Sequence, residues 1–344
     1  MKAKEIDWNN LGFTYQKTDK RFSAVWRDGR WSEGRLIEED TLRISESAGV
    51  LQYAQTCFEG LKAYRTQEGK IVIFRPDLNA ERLNNSCRRL CIPELPDGMF
   101  LHAVRETVRA NAEWVPPYES GATLYVRPFV CGTGPVIGVA PAPEYEFRVF
   151  CTPVGPYFKG GIKPLRLAVS DYDRAAPHGT GDIKAGLNYA MSLYAAYEAK
   201  HAGYAENLYL DAATRTKVEE TGGAKFIFVT KDTKIVTPRS NSILPSVTRR
   251  SLMTVARDCL GLETEEREVY FSEVPEFAEC GLCGTAAVIS PVGSINDHGR
   301  EIRFPSGMEA MGPVTRRLYD TLTGIQAGRL PDRFHWVYEI DEEV

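Results

Sequence analysis

A single lysine, Lys184, stands in the stretch HGTGDIKAGLNYA (His178 to Ala190), with a tyrosine five residues further on. The glycines at 179, 181 and 186 let the backbone approach a ligand closely. A lysine amine becomes nucleophilic when burial or a nearby positive charge lowers its pKa. Tyr189 can share a hydrogen bond with an oxygen of the molecule that the amine attacks. The stretch therefore predicts a nucleophilic lysine or, from its spacing alone, an ordinary lysine in a surface loop.

A second set of residues has the character of an anion site. The segment LPSVTRRS opens a predicted helix, and the N–H groups around Val247 and Thr248 have no acceptor within that helix. Thr285 adds a hydroxyl ahead of a buried strand, and Arg82 in DLNAERLNNSCRRL adds a positive charge. Most helix starts bind only their own cap, and Arg82 also fits a solvated helix face, so both interpretations stay open.

Two more pairs of residues have side chains that could bind a ligand. In LYVRPF, Tyr125 and Arg127 share one face of a predicted strand, where a phenol and a guanidinium make a receptor for a carboxylate. The polar face of a half-exposed strand explains them equally well. In KVEETGGAKF, Glu219 and Glu220 precede two glycines. A buried carboxylate there keeps a ring nitrogen protonated, whereas an acidic turn is the simpler alternative.

Composition narrows the class of protein. The 344 residues are 43% hydrophobic and 26% charged, with a formal net charge of -4, which is an ordinary globular profile with room for two domains. The sequence has no apolar run of the roughly 20 residues that span a bilayer. It also has no long basic run of the kind that binds nucleic acid, and its first ten residues lack the apolar core of a signal peptide.

Eight scattered cysteines predict reduced thiols in a cytoplasmic protein. The pair in CGLC, Cys280 and Cys283, has the spacing of a metal or redox site. No second pair of ligands stands near it, so we expect no metal site.

The elements that position these residues are short strands mixed with helices. Apolar residues recur every three or four positions in two helices of the first half, and DG between two apolar runs predicts a hairpin near Asp28. Because strands and helices do not alternate strictly, the pattern predicts an α+β fold. The Gly- and Pro-rich segment GPYFKGGIKP is the best linker. We expect a small domain over residues 1–154, an interdomain loop over 155–164 and a large domain over 165–344.

Taken together, the sequence resembles the branched-chain amino acid aminotransferases, pyridoxal-phosphate enzymes of fold type IV. The resemblance covers nearly the whole chain. The motifs that carry it occur in the family's order: YAQTCFEGLKAYR, RPDLNAERL, LYVRPFVCGTGPVIGV, PVGPYF, GTGDIKAGLNYA, VEETGG, ILPSVTRRSL and GTAAVISPV. It implies a smaller N-terminal α/β domain and a larger, β-barrel-like C-terminal domain with helices.

The resemblance also implies roles for individual residues. Lys184 binds the cofactor aldehyde covalently and carries a proton between the substrate and the cofactor. Tyr189 bonds to the phenolic oxygen of the cofactor, and Glu220, rather than Glu219, faces its ring nitrogen. The residues implied around the cofactor phosphate are Arg82, Val247, Thr248 and Thr285. The residues implied around the substrate are Tyr53, Phe58, Tyr125, Arg127, Tyr157, Thr285 and Ala286.

The implied reaction is reversible transfer of an amino group between L-leucine, L-isoleucine or L-valine and 2-oxoglutarate, with L-glutamate and 2-oxo acids as the other partners. The alternatives are a D-amino acid transaminase or an aminodeoxychorismate lyase of the same fold. The family also implies at least a homodimer. Animal members carry a redox cysteine pair where this chain has Ala287 and Ser290, so we expect that redox switch to be absent.

Overall fold

The computed structural model describes residues 3–155 and 162–341. Its seventeen strands are β1 (Arg21–Arg27), β2 (Arg30–Trp31), β3 (Arg35–Ile37), β4 (Thr56–Phe58), β5 (Leu61–Arg65), β6 (Ile71–Phe74), β7 (Thr123–Gly132), β8 (Tyr145–Val154), β9 (Leu165–Val169), β10 (Glu206–Leu208), β11 (Lys225–Val229), β12 (Ile235–Pro238), β13 (Thr264–Arg267), β14 (Glu279–Gly284), β15 (Val288–Asp297), β16 (Arg300–Arg303) and β17 (Val337–Glu339). The α-helices are α1 (Gly49–Tyr53), α2 (Pro76–Arg89), α3 (Met99–Ala110), α4 (Gly186–His201), α5 (Val247–Asp258) and α6 (Pro313–Gln326). The predicted α+β character of the chain is confirmed.

The described residues divide into two compact units. The first holds residues 3–155, Ile183–Gly186 and 325–341, and the second holds 162–182 and 187–324. The predicted domain limits stay a prediction. Most of the predicted loop, and with it Tyr157, which is predicted to contact the substrate, lies outside the described residues.

The first unit is built on a nine-stranded sheet. Its strands run in the order β17-β6-β5-β7-β8-β1-β2, with β3 paired to β1 and β4 paired to β7. The predicted hairpin joins β1 to β2 through Asp28 and Gly29, which both have the positive φ that a two-residue turn of this type requires. Helices α2 and α3 contribute Leu83, Phe100 and Val104 to the buried core of this unit. Strand β17, at the far end of the chain, pairs with β6, a contact that the sequence analysis did not predict.

The second unit is built on an eight-stranded sheet in the order β10-β9-β15-β14-β11-β12-β13, with β16 paired to β15. The sheet is mixed, since β9 runs parallel to β10 and β15 whereas β11 runs antiparallel to β12 and β14. Its core contains Phe226, Phe228 and Phe277, with the last two rings stacked 4.6 Å apart. None of the helices in the described ranges is long and apolar enough to cross a membrane.

Candidate active site

Lys184 belongs to the first unit, where its backbone is held on both sides. The N–H of Phe58, at the end of β4, donates to the carbonyl of Lys184 at 3.0 Å, and Cys57 and Ala185 form an antiparallel bridge. The N–H of Lys184 donates to Oγ of Ser86 on α2 at 3.0 Å. The lysine is therefore fixed by a strand and a helix rather than carried on a free surface loop.

Helix α2 presents a polar face to the same region. Asn79, Arg82 and Ser86 lie three and four residues apart, which places them on one side of a helix. Arg82 forms a two-point ion pair with Glu59, with Nε at 2.7 Å from one carboxylate oxygen and Nη2 at 2.8 Å from the other. The Glu59 side chain is completely buried and that of Arg82 is 11% exposed.

The pKa of Lys184 is lowered to about 8, first by burial of the amine and then by the positive charge of Arg82. Glu59 opposes this shift, because its negative charge raises the pKa of the amine. An ordinary lysine is under about 1% neutral at pH 8, whereas an amine with a pKa of about 8 is half neutral there. Lys184 is thus equipped to act as a nucleophile or a base near neutral pH.

Three of the predicted substrate residues lie together in the first unit. The Arg127 guanidinium stacks on the Phe58 ring at 4.7 Å and donates to the Tyr125 hydroxyl at 3.0 Å. The Lys184 amine lies 4.8 Å from the same Phe58 ring. Nε of Arg127 is buried and has no hydrogen-bond partner among the described residues, so the guanidinium keeps bonding capacity for a ligand carboxylate.

A glycine makes room for this group. A Cβ added at Gly60 would lie 2.1 Å from the Tyr125 hydroxyl, so no larger residue fits there without moving the phenol. Tyr53 is placed differently from the group, since its side chain is 38% exposed and its hydroxyl donates to the carbonyl of Ile137.

In the second unit, Glu220 lies within a buried cluster of charges. One carboxylate oxygen is 2.9 Å from Nη2 of Arg174 and accepts the N–H of Leu244 at 2.9 Å, and the other is 2.6 Å from Nζ of Lys225. The Glu220 side chain is 2% exposed, and those of its two cationic partners are 5% and 7% exposed. Two cations therefore hold this carboxylate in one orientation.

Glu219 has a different environment. It accepts hydrogen bonds from the hydroxyls of Ser240 and Ser242 through one oxygen, while the other oxygen is buried without a partner among the described residues. Burial raises the pKa of the Glu219 carboxyl. The two adjacent glutamates are thus distinguished by their partners, cations for Glu220 and hydroxyls for Glu219.

The predicted anion-binding residues of the second unit lie at the start of a helix and in a turn between two strands. Val247 and Thr248 are buried in the first turn of α5, whose N-cap Ser246 accepts the N–H of Arg249 at 3.1 Å. Thr285 and Ala286 form the turn between β14 and β15. Tyr189 lies in the first turn of α4 and is partly buried.

The cysteines form no disulfide, since all eight are free thiols. Burial raises the pKa of Cys280 and Cys283, to about 12 for Cys283, so both thiols resist conversion to reactive thiolates. Within the described ranges no group of three or more His, Cys, Asp or Glu side chains is arranged to hold a metal.

Sequence reasoning missed the partners of the predicted residues, namely Glu59, Ser86, Arg174 and Lys225. Glu59 had a signal, since a carboxylate stands in the quoted motif between an apolar strand and a glycine. Lys225 also had one, since it stands five residues after Glu220 in the quoted KVEETGGAKF. Ser86 and Arg174 had none, because their partners Lys184 and Glu220 are distant in the sequence.

Comparison with known proteins identifies the family. The family model for amino-transferase class IV matches residues 56–295, which is more than half of the chain. The chain belongs to the class IV aminotransferases. It is also 52% identical over 343 residues to a branched-chain-amino-acid aminotransferase of Haemophilus influenzae, covering 98% of this chain and all of that protein. Another such enzyme, from Mycolicibacterium smegmatis, is 42% identical, over 96% of this chain and 93% of its own length.

Solved structures agree with the sequence relatives. The crystal structure of the Escherichia coli branched-chain amino acid aminotransferase superposes with a TM-score of 0.79 at 25% identity, covering 94% of this chain and all of that one. The enzyme from Thermobaculum terrenum, solved in its PLP form, gives a TM-score of 0.79 at 27% identity, over 95% of this chain and all of that one. The predicted resemblance to branched-chain aminotransferases and the fold-type-IV class are confirmed.

The lowered pKa of Lys184 predicts the pH at which its amine becomes reactive. Competitive acylation of the cofactor-free protein with acetic anhydride, read for each peptide by mass spectrometry, should give a midpoint near pH 8 for the Lys184 amine. Free Nα-acetyl-lysine in the same tube is the control and should give its ordinary value of about 10.4. A midpoint for Lys184 that coincides with the control would contradict the role assigned to burial and Arg82.

Proposed function

We propose that this chain is a branched-chain-amino-acid aminotransferase that uses pyridoxal 5'-phosphate. It moves the amino group reversibly between L-leucine, L-isoleucine or L-valine and 2-oxoglutarate, in two half-reactions. The observation that carries the proposal is Lys184, an amine with a pKa lowered to about 8 beside the buried Arg82–Glu59 pair. The full-length relatives named above support the substrate class.

The donor set fits the cofactor chemically. A reactive amine suits its aldehyde, the Arg82 cation and the first turn of α5 suit a phosphate, and the fixed carboxylate of Glu220 suits a protonated ring nitrogen. We assign Lys184, Arg82, Tyr189, Glu220, Val247, Thr248 and Thr285 to cofactor binding.

The catalytic work of the chain follows from these assignments. Bound pyridoxal phosphate supplies an aldehyde that takes up the amino group and an electron-accepting ring. Lys184, as the neutral amine, takes the proton from Cα of the substrate and later returns a proton on the way to product. Glu220 holds a proton on the ring nitrogen, which maintains the electron-accepting character of the ring. Tyr189 bonds to the phenolic oxygen and orients the ring.

We assign Tyr53, Phe58, Tyr125, Arg127, Tyr157, Thr285 and Ala286 to the substrate. Apolar side chains of branched amino acids suit the Phe58 ring, and the phenol and guanidinium of Tyr125 and Arg127 suit the carboxylates of L-glutamate and 2-oxoglutarate. One site thereby serves both an apolar and an acidic substrate.

We also propose that the protein is a cytoplasmic homodimer. Helix α4 exposes Met191, Leu193, Tyr194 and Tyr197, each more than half accessible, whereas its buried residues are Asn188, Ser192, Ala195 and Ala199. Exposed apolar groups of this kind are typical of protein–protein interfaces. The free, mostly buried thiols agree with a reducing compartment.

The visible absorption band of the bound cofactor tests the proposed reaction. The band should fall when L-leucine is added, because the amino group leaves the substrate for the cofactor, and should return with 2-oxoglutarate. D-Alanine is the control and should leave the band unchanged. A band that falls with D-alanine but not with L-leucine would contradict the proposal and indicate a D-amino acid transaminase instead.

The two adjacent glutamates give a matched pair of variants. Glu220→Gln should slow proton removal from Cα of L-leucine by about 100-fold, because an amide holds the ring nitrogen's proton poorly. Glu219→Gln should keep most of the rate, since its hydroxyl partners can also bond an amide. Stopped-flow measurement with Cα-deuterated leucine reports this step.

Glu220→Gln also removes the counterion of two buried cations, so its melting temperature is measured alongside, and Glu220→Asp serves as the variant that keeps the charge. If Glu220→Gln reacts at the wild-type rate while Glu219→Gln is slow, the two roles must be exchanged.

A further inference from the structure

Glu59 is the point where the polar face of α2 meets β4. Its carboxylate accepts Nε and Nη2 of Arg82, Nδ2 of Asn79 at 2.7 Å and the N–H of Gly60 at 3.2 Å. The backbone N–H of Glu59 donates to the carbonyl of Pro128 on β7 at 2.7 Å. The side chain is 0% exposed, so this carboxylate is fixed by its surroundings in both position and orientation.

The two-point geometry determines where the guanidinium of Arg82 lies. A guanidinium is planar and its donors have fixed directions, so bonding through Nε and Nη2 fixes the plane and the direction of the whole group. A single-point contact would leave the long side chain free to rotate. The Glu59 carboxylate thus fixes the orientation of the Arg82 guanidinium.

Glu59 also adjoins the reactive lysine. The residue before it, Phe58, donates its N–H to the carbonyl of Lys184, and the Phe58 ring lies 4.8 Å from the Lys184 amine. Beyond the effect of burial, Arg82 and Arg127 lower the pKa of Lys184, whereas Glu59 and Tyr125 raise it. The net charge that the amine meets therefore depends on both members of the Arg82–Glu59 pair, with smaller contributions from Arg127 and Tyr125.

We propose, building on the proposed function, that Glu59 is a positioning residue that orients Arg82 for the cofactor phosphate and balances the charge beside Lys184. It touches neither substrate nor reacting atoms and acts only through these two residues. Because Arg82 is 11% exposed, an Arg82 without this partner would be a nearly buried, uncompensated cation.

The test measures cofactor uptake by the full-length protein after its bound cofactor is removed. Glu59→Gln should bind pyridoxal 5'-phosphate about 10- to 100-fold more weakly, by analogy with the loss seen when the hydrogen-bond partners of metal ligands are removed. Affinity for pyridoxal, which has no phosphate, should change much less, because the loss acts on the phosphate contact. A uniform loss of both affinities would overturn the phosphate part of the proposal.

The pH dependence of uptake provides a readout that a purely structural role would not move. Removing the negative charge of Glu59 takes away the contribution that raises the pKa of Lys184, so the midpoint of uptake should move to lower pH by about one unit. An unmoved midpoint would overturn the charge-balancing part.

Three further variants keep the test decisive. Glu59→Asp retains the charge and should restore most of the wild-type midpoint. Asn79→Ala removes a neutral partner of the carboxylate and should weaken phosphate preference slightly without moving the midpoint, which provides a milder probe if Glu59→Gln does not fold. Glu94→Gln breaks the exposed pair between Arg88, on the same helix, and Glu94, in the segment that follows it, and should behave as wild type.

Uptake is independent of substrate turnover, which separates the two proposals. Normal uptake by the wild type with no reaction of L-leucine would count against the proposed function alone. Wild-type phosphate preference and midpoint in Glu59→Gln would count against this inference alone.

Discussion

An amine attacks a carbonyl only when it has lost its proton, and the first unit is arranged so that Lys184 can do so near neutral pH. Burial is the largest cause of the lowered pKa of Lys184, and the Arg82 cation adds to it. A cation that close would be costly in a buried place if it stood alone, and the Glu59 carboxylate removes that cost with two short hydrogen bonds. The backbone of Lys184, held by Phe58 and Ser86, keeps the amine in this environment. Reactivity and stability are therefore linked through one ion pair.

In the second unit the central buried group is a carboxylate rather than an amine. The buried carboxylate of Glu220 has two cations within 2.9 Å. Its neighbour Glu219 accepts hydrogen bonds from the hydroxyls of Ser240 and Ser242, and burial raises the pKa of its carboxyl. Adjacent residues of the same type thus acquire different electrostatic properties from their partners alone. This is the physical basis on which we assign the ring nitrogen to Glu220.

Local patterns predicted much of the fold. The hairpin at Asp28 and Gly29 needs only a two-residue turn of the right conformation, and α2 and α5 follow from apolar spacing and their start signals. The lysine proposed to bind the cofactor is also marked by a local pattern, since Lys184 and its glycines form one short motif. Local sequence patterns do not predict which residues far apart in the chain come into contact. Strand β17 joins β6 more than 260 residues away, and Glu59 finds Arg82 across 23 positions, so neither contact follows from periodicity. The choice between Glu219 and Glu220 likewise depended on the resemblance until the structure supplied their partners.

The central claim is that Lys184, and no other amine, binds the cofactor covalently. Lys62 is a demanding comparison, because burial lowers its pKa to about 8 as well, yet it stands on β5 and not in the glycine-containing motif. Borohydride reduction of the cofactor-loaded protein, followed by digestion and mass spectrometry, fixes the cofactor to the lysine that holds it. The added mass should appear on the peptide that contains Lys184. Its appearance on the Lys62 peptide, or on neither, would show that Lys184 does not bind the cofactor.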